Sequence, residues 1–464
     1  MNGTPATDDQ SELLSAEDAE AAIDFVIQEV LRLGKMPWEE LKGQPKEDLL
    51  SMINDSRGRG RVLGKAASQR LFDLSERALG ASPFNRRVDP QAAYEAVKTG
   101  LGRDYLNPNI SGTTAAQDRA NVSRWIAEAG AECRTLTHFI PCHLGLEHER
   151  TVTIGPVSIR RTATALGDLE AAFERKANQH KPWPGTKQSR EYLEAFSEVA
   201  QVTVADCDPT TSRKVGQEAV QAALGFVHVM AGAAATRKMR GGGPALRGDR
   251  RASVALTPDG DLDLTTSASW EGAFVDDEFW AWLEEEPQAT MAQSAGAVVE
   301  IILSRRPLPM MASRYVDATR WYADAAREPV PSAAVVKYLI AMERLLWTGE
   351  RHQTTRLLSE RAAALSFSTD PWDFEEVIAK VRQAYGLRSG IVHGRIAEGD
   401  PQITRGYRTC ETVSRELLQT FLMRYGPDFH QETTVEKLRA HFDGFVAEVW
   451  AQTKARKTSH PSGD

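Results

Sequence analysis

Several features that classify proteins quickly are scarce or missing in this chain. Four cysteines, Cys133, Cys142, Cys207 and Cys410, are spread over 464 residues. That is too few for a disulfide scaffold in so long a chain. No apolar run approaches the ~20 residues that span a bilayer, so no membrane partner is expected. The opening stretch MNGTPATDDQSELL is acidic and has no apolar segment, which argues against a signal peptide. Basic charge is short as well: 56 Lys and Arg face 64 Asp and Glu, a formal net charge of −8. A protein that coats nucleic acid through its overall charge is basic, so any such contact here must be local. These absences together point to a cytoplasmic protein.

What is present is the composition of a globular protein, with 41% hydrophobic and 26% charged residues. The length exceeds that of one ordinary core and implies two or three domains. Residues 1–132 read as a helical N-terminal region, with Ser15 and Asp18 as a capping box before Ile23, Val26, Ile27, Val30 and Leu31. Further helices fit 62–79, 90–99 and 114–131. Residues 133–330 read as a central α+β region with a sensing or regulatory role. In it VTIGPVSIRR (152–161) and RASVALTPDGDLDLTT (251–266) carry hairpin patterns, the second turning at Asp259-Gly260. Helices fit 166–180 and 211–232. Pro329 and Pro331 mark the expected boundary of an all-α bundle at 331–453, and 454–464 reads as a disordered tail. The fold class is therefore α+β and multidomain. In the bundle, helices fit 332–349 with Ser332 as N-cap, 353–367, 372–385, 402–424 and 434–453.

Between the third and fourth of these helices lies YGLRSGIVHGR, residues 385–395. Arg388 and His393 form an R-x4-H pair. Arg175 and His180 repeat the spacing in FERKANQH, where it reads as solvated surface, so spacing alone decides little. Context separates the two copies. Gly386 is expected to stop the preceding helix, leaving Arg388 in a turn, and Ser389 to cap a restarted one. Without such a break, positions five apart diverge by about 140° on a helix. Gly390 and Gly394 would let another backbone come close. A histidine can take the proton of a ribose 2′-OH or give one to the leaving 5′-oxygen. An arginine can bind the scissile phosphate and stabilise charge in the transition state. This chemistry cuts RNA without a metal or cofactor. One histidine does not readily act as base and acid in the same step, but two copies across a two-fold axis can.

The last third of the chain, roughly residues 330–450, resembles the HEPN superfamily, and most of all its Apea-like branch. The resemblance rests on YLIAMERLLW (338–347) with Glu343, on LLSERAAALS (357–366) with Arg361, and on the R-x4-H signature with Ser389 and the glycine after the histidine. It implies an all-α HEPN bundle with metal-independent endoribonuclease activity, in a toxin or antiviral-defence effector. On that reading Arg388 and His393 are catalytic and Ser389 is a supporting polar group. Glu343 and Arg361 orient the pair, or form an intra-domain ion pair. The partners implied are RNA, a second copy of the chain and a phage-derived trigger. A non-catalytic HEPN module for assembly or nucleotide binding is the alternative.

Two further stretches carry chemistry. Cys133, His138, Cys142, His143 and His148 cluster in CRTLTHFIPCHLGLEH. Cys133, His138, Cys142 and His148 are conceivable zinc ligands of a zinc-stabilised regulator, although no close C-x2-C pair is present. As a strand this stretch would send Cys142 and His143 to opposite faces. RKMRGGGPALRGDRR (237–251) offers Arg237, Lys238, Arg240, Arg247, Arg250 and Arg251 as RNA-phosphate contacts, with Arg395 beside the signature, or else a solvated loop. RGRGRVLGKAASQR (57–70) lacks the order of a phosphate-binding loop, since Ala66 follows Lys65.

Overall fold

Helical periodicity governs most of the chain, and the elements follow it with a few instructive departures. The computed structural model describes residues 14–37, 40, 51–106, 114–145, 150–177, 185–241, 249–256, 262–269, 275–350, 352–366, 372–398 and 400–459. The fold is α+β, mostly helical with a small antiparallel sheet. Contacts divide it into two units, one drawn from Met1–Leu136 and Val204–Val215, the other from Thr137–Thr203 and Gly216–Asp464.

In the first unit, α1 (Ala16–Lys35) starts where Ser15 Oγ accepts from the Asp18 amide at 3.0 Å. Its buried stripe runs through Ala19, Ile23, Val26 and Val30. Helices α2 (Lys65–Gly80), α3 (Pro90–Tyr105) and α4 (Ala115–Gly130) close on the same core with Leu71, Val97, Leu101 and Trp125. The expectation of a wholly helical region needs correction. A hairpin, β1 (Ser51–Asn54) and β2 (Gly60–Leu63), precedes α2 and buries Ile53 and Leu63 in that core. The physical cause is Asp55, whose Oδ1 accepts from the amides of Arg57 and Arg59 at 2.9 and 3.0 Å and closes the turn.

A five-stranded sheet has the order β4-β5-β6-β3-β7, from β3 (Arg134–His143), β4 (Val152–Ile154), β5 (Val157–Arg161), β6 (Glu198–Cys207) and β7 (Arg240–Gly241). The Gly155-Pro156 hairpin sets Ile154 opposite Val157, and β5 continues onto β6 with Ser158 opposite Gln201. Helices α5 (Thr162–Ala177), α6 (Gly185–Glu194) and α7 (Pro209–Thr236) intervene. Among the described residues α7 alone is long and apolar enough to cross a membrane. It is a core helix instead: 72% of its apolar window is buried, and Gly232 interrupts it at φ +79°. A third hairpin, β8 (Asp249–Leu256) and β9 (Leu262–Ser269), pairs Leu256 with Leu262, and its expected turn at Asp259-Gly260 lies outside the described residues. His180 lies outside them too.

The remaining helices are α8 (Asp277–Leu283), α9 (Gln288–Leu303), α10 (Met310–Arg327), α11 (Pro331–Leu346), α12 (Thr354–Ser366), α13 (Trp372–Val392), α14 (Pro401–Tyr425) and α15 (Val435–Ser459). The expected boundary at 330/331 falls inside the second unit, where α10 packs on α11 and α11 on α14. Tyr322 and Tyr338 meet across the first of these contacts, ring centres 5.3 Å apart. Pro331 occupies the first turn of α11 and punctuates a helix, not a domain. Ser332 therefore lies inside the helix, where its hydroxyl donates to Glu398. At the other end α15 continues through Lys454 to Ser459, where a disordered tail was expected.

Candidate functional site

The signature lies on a helix that does not stop where glycine suggested. α13 runs unbroken from Trp372 to Val392, through both Gly386 and Gly390. Each glycine costs about 1 kcal/mol of helix propensity, and packing overrides that weakness. Tyr385, Leu387 and Gly390 are all buried. Ser389 is consequently no N-cap; its Oγ accepts from Arg395 Nη2 at 3.0 Å.

The helix ends one turn later. Gly394 takes φ +67°, its amide donates to Ile391 O at 3.0 Å, and the Arg395 amide donates to Gly390 O at 2.7 Å. These two bonds form a Schellman motif, which requires a left-handed residue at Gly394. Gly390 has a separate steric reason: a Cβ there would sit 2.4 Å from Ile396 Cδ1, the side chain that folds back over the last turn. Both glycines thus serve the helix end within one chain; at Gly390 the space expected for another backbone is taken by Ile396, whereas Gly394 faces open space. Gly394→Ala should destabilise the protein by about 1–2 kcal/mol, the cost of holding an L-residue in the left-handed region. Denaturant midpoints of wild type and variant measure it, and equal midpoints would show that the cap is dispensable.

An unbroken helix still brings the pair together. Tyr385, Arg388, Ser389, Val392 and His393 occupy successive i, i+3 and i+4 positions, a stripe of about 140° with Arg388 and His393 at its two edges. With Thr355 these side chains line one cleft of about 360 Å³. His393 is exposed, and its amide still donates to Ser389 O at 3.1 Å. Its imidazole has no hydrogen-bond partner among the described residues.

Arg388 is held from α11. Its Nη1 donates to Glu343 Oε1 at 2.8 Å, and Tyr385 Oη donates to the same oxygen at 3.2 Å. Burial, and then the Glu343 carboxylate, pushes the Tyr385 phenol well up, so it stays a protonated donor. Arg388 Nε is buried and has no hydrogen-bond partner among the described residues. Tyr385 was not singled out in the sequence, although its position three residues before Arg388 was the available signal.

Arg361 takes a different place from Glu343. Its guanidinium donates to Leu346 O and Thr348 Oγ1, both at 3.1 Å, and to Glu350 and Asp443 at 2.8 and 2.9 Å. The side chain is 2% exposed and lies over the Phe442 ring. It ties α12 to α15 and to the turn after α11. It has no bond to Arg388 or Glu343, so the reading that it orients the pair gives way to the ion-pair alternative.

Of the basic residues proposed for RNA, Arg395 reaches the site, through Ser389. Arg237 is exposed beyond α7, Lys238 is half-buried, and neither lines the cleft. Arg247 and the side chains of Arg240, Arg250 and Arg251 lie outside the described residues. The zinc set fares poorly. His138 and Cys142 stand roughly 13 Å apart along an extended strand, and His148 lies outside the described residues. His143 Nδ1 is bonded to Ser197 Oγ at 3.2 Å, and its ring stacks on Phe196. Burial and the Glu198 charge raise the Cys142 thiol far above its ordinary range, away from the thiolate that zinc needs. Cys133 falls in the first unit and Cys142 in the second. Among the described residues no three His, Cys, Asp or Glu side chains group as metal ligands.

No family model, curated protein or solved structure matches this chain.

Proposed function

We propose that this protein is a metal-independent endoribonuclease, acting as a toxin or antiviral-defence effector, and that its C-terminal helices are a HEPN-type domain of the Apea-like branch. The observation that supports this best is the single cleft lined by Arg388 and His393, with the arginine braced by Glu343. A guanidinium held through Nη1, with Nε buried, leaves Nη2 for a phosphate, and bracing lowers the ordering cost of binding. An exposed imidazole at the cleft edge is available for proton transfer with a ribose hydroxyl. Attack of the 2′-OH on phosphorus forms the new O–P bond, expels the 5′-oxygen and leaves a 2′,3′-cyclic phosphate.

The second proton-transfer group comes from a second copy of the chain. Val392 is 61% exposed beside His393, an apolar side chain suited to an isologous contact at the cleft. Two arginines facing each other then form a small positive site on an acidic protein.

The experiment is induced expression of wild type beside His393→Ala, with total RNA examined for discrete fragments. Wild type should yield fragments ending in 2′,3′-cyclic phosphate or its opened form, with cleavage persisting in EDTA and DNA spared. Cleavage that stops in EDTA and returns with magnesium would overturn the metal-independent reading. Absence of fragments from wild type would overturn the ribonuclease reading, and identical fragments from the two proteins would remove His393 from it.

A further inference from the structure

Glu343 lines a second, larger cavity of about 860 Å³ and is joined by one hydrogen bond to Arg388, which lines the first cleft. That volume lies within the range of small-molecule and nucleotide sites. Trp347, the residue that caps α11, also lines this cavity, 47% exposed where most tryptophan is buried.

The indole is fixed on one edge and about half exposed. Trp347 Nε1 donates to Glu350 O at 3.1 Å, and its carbonyl accepts from Arg314 Nη1 at 2.7 Å. Arg314 also donates to Arg344 O at 3.1 Å. The platform is therefore built before any ligand arrives. Arg344, exposed at the same cavity, has no side-chain partner among the described residues. Asp317, half-buried in the cavity lining, has none there either.

From this juxtaposition we infer that the second cavity receives an unpaired nucleotide next to the scissile phosphate, its base stacked on Trp347 and a flanking phosphate on Arg344. The inference rests on the ribonuclease reading and deepens it: the substrate is single-stranded at the cut. Stacking on an aromatic face suits any base and excludes a paired one. The carboxylates then choose among bases. With Asp317, Glu343 and Glu432 in the lining, the cavity accepts N–H donors. Guanine offers two adjacent ones, and adenine and cytosine carry an exocyclic amino group. Uracil offers one N–H between two carbonyls, which a carboxylate repels. A base bearing an amino group is therefore favoured, guanine most of all.

The test uses the full chain and synthetic single-stranded RNA spanning a junction mapped from the expression experiment. Each nucleotide flanking the junction is replaced in turn by an abasic one. At one position the abasic RNA should raise the KM of wild type about tenfold and leave that of Trp347→Ala unmoved. Trp347→Phe should retain most of the wild-type response, because a smaller ring still stacks. Asp317→Asn should weaken the preference for amino-bearing bases. A duplex of the same sequence should be cut poorly by wild type. Equal abasic penalties in wild type and Trp347→Ala would overturn the stacking and leave the ribonuclease reading standing. Absence of any cleavage by wild type in the expression experiment would overturn the parent reading, and this one with it.

Discussion

His393→Ala should cut RNA ~10²–10⁴-fold more slowly than wild type, the usual loss when a proton-transfer group is removed. The fold should survive. The imidazole is exposed and bonds to no described side chain, so its removal frees no buried group and opens no core cavity. The helix end beneath it is held by backbone bonds at Gly390 and Ile391, which alanine keeps. Arg388→Lys should lose comparably. An ammonium can satisfy Glu343 or meet the phosphate as a point charge, but it cannot reproduce a planar fork that does both. Single-turnover cleavage with thermal unfolding on the same preparations separates chemistry from stability. A wild-type rate in His393→Ala would remove the histidine from the mechanism.

The largest effect on stability is expected at Arg361. Removing one member of a buried ion pair costs roughly 3–5 kcal/mol, since the other charge is left unpaired in a poor solvent. Here Glu350 retains Arg439, whose Nε lies 3.3 Å away, and Asp443 is half exposed, so the lower end of that range applies to Arg361→Ala. The variant also loses bonds to Leu346 O and Thr348 Oγ1 and the contact over Phe442. Acid should report the same network. Burial draws the Glu350 carboxyl upward, but hydrogen bonds from Arg361 and Thr348 outweigh it and hold the group at about 2 against an ordinary 4.5. A lowered folded-state value means the stabilisation is complete above about 4.5 and disappears as pH falls toward about 2. The gap in denaturant midpoint between wild type and Arg361→Ala should narrow across that window. A constant gap would place the contribution of Arg361 in packing alone.

Much of the secondary structure was legible in the sequence. The stripe Ile23, Val26 and Val30, the Gly155-Pro156 turn, and the apolar faces of α11 and α14 each follow from local periodicity and turn chemistry, which act over a few residues. The signature itself, with Glu343 and Arg361 as residues to watch, was also readable. Its local geometry was not. Gly386 reads as a helix stop, yet packing of Tyr385 and Leu387 against neighbouring elements carries the helix past it, because tertiary burial outweighs ~1 kcal/mol of propensity. The hairpin at Ser51–Leu63 was missed although its turn is local: Asp55, which accepts from the amides of Arg57 and Arg59, was the available signal. Glu343 and Arg361 looked alike on paper. Only the placement of α15 gave Arg361 its carboxylate at Asp443, and only the crossing of α11 with α13 gave Glu343 to Arg388. Sequence by itself singled out Arg388, His393, Glu343 and Arg361 as residues to examine and the helical segments around them. Which carboxylate meets which guanidinium, and which side chains share a cleft, depended on long-range packing, because those partners lie tens of residues apart and no local spacing encodes their contact.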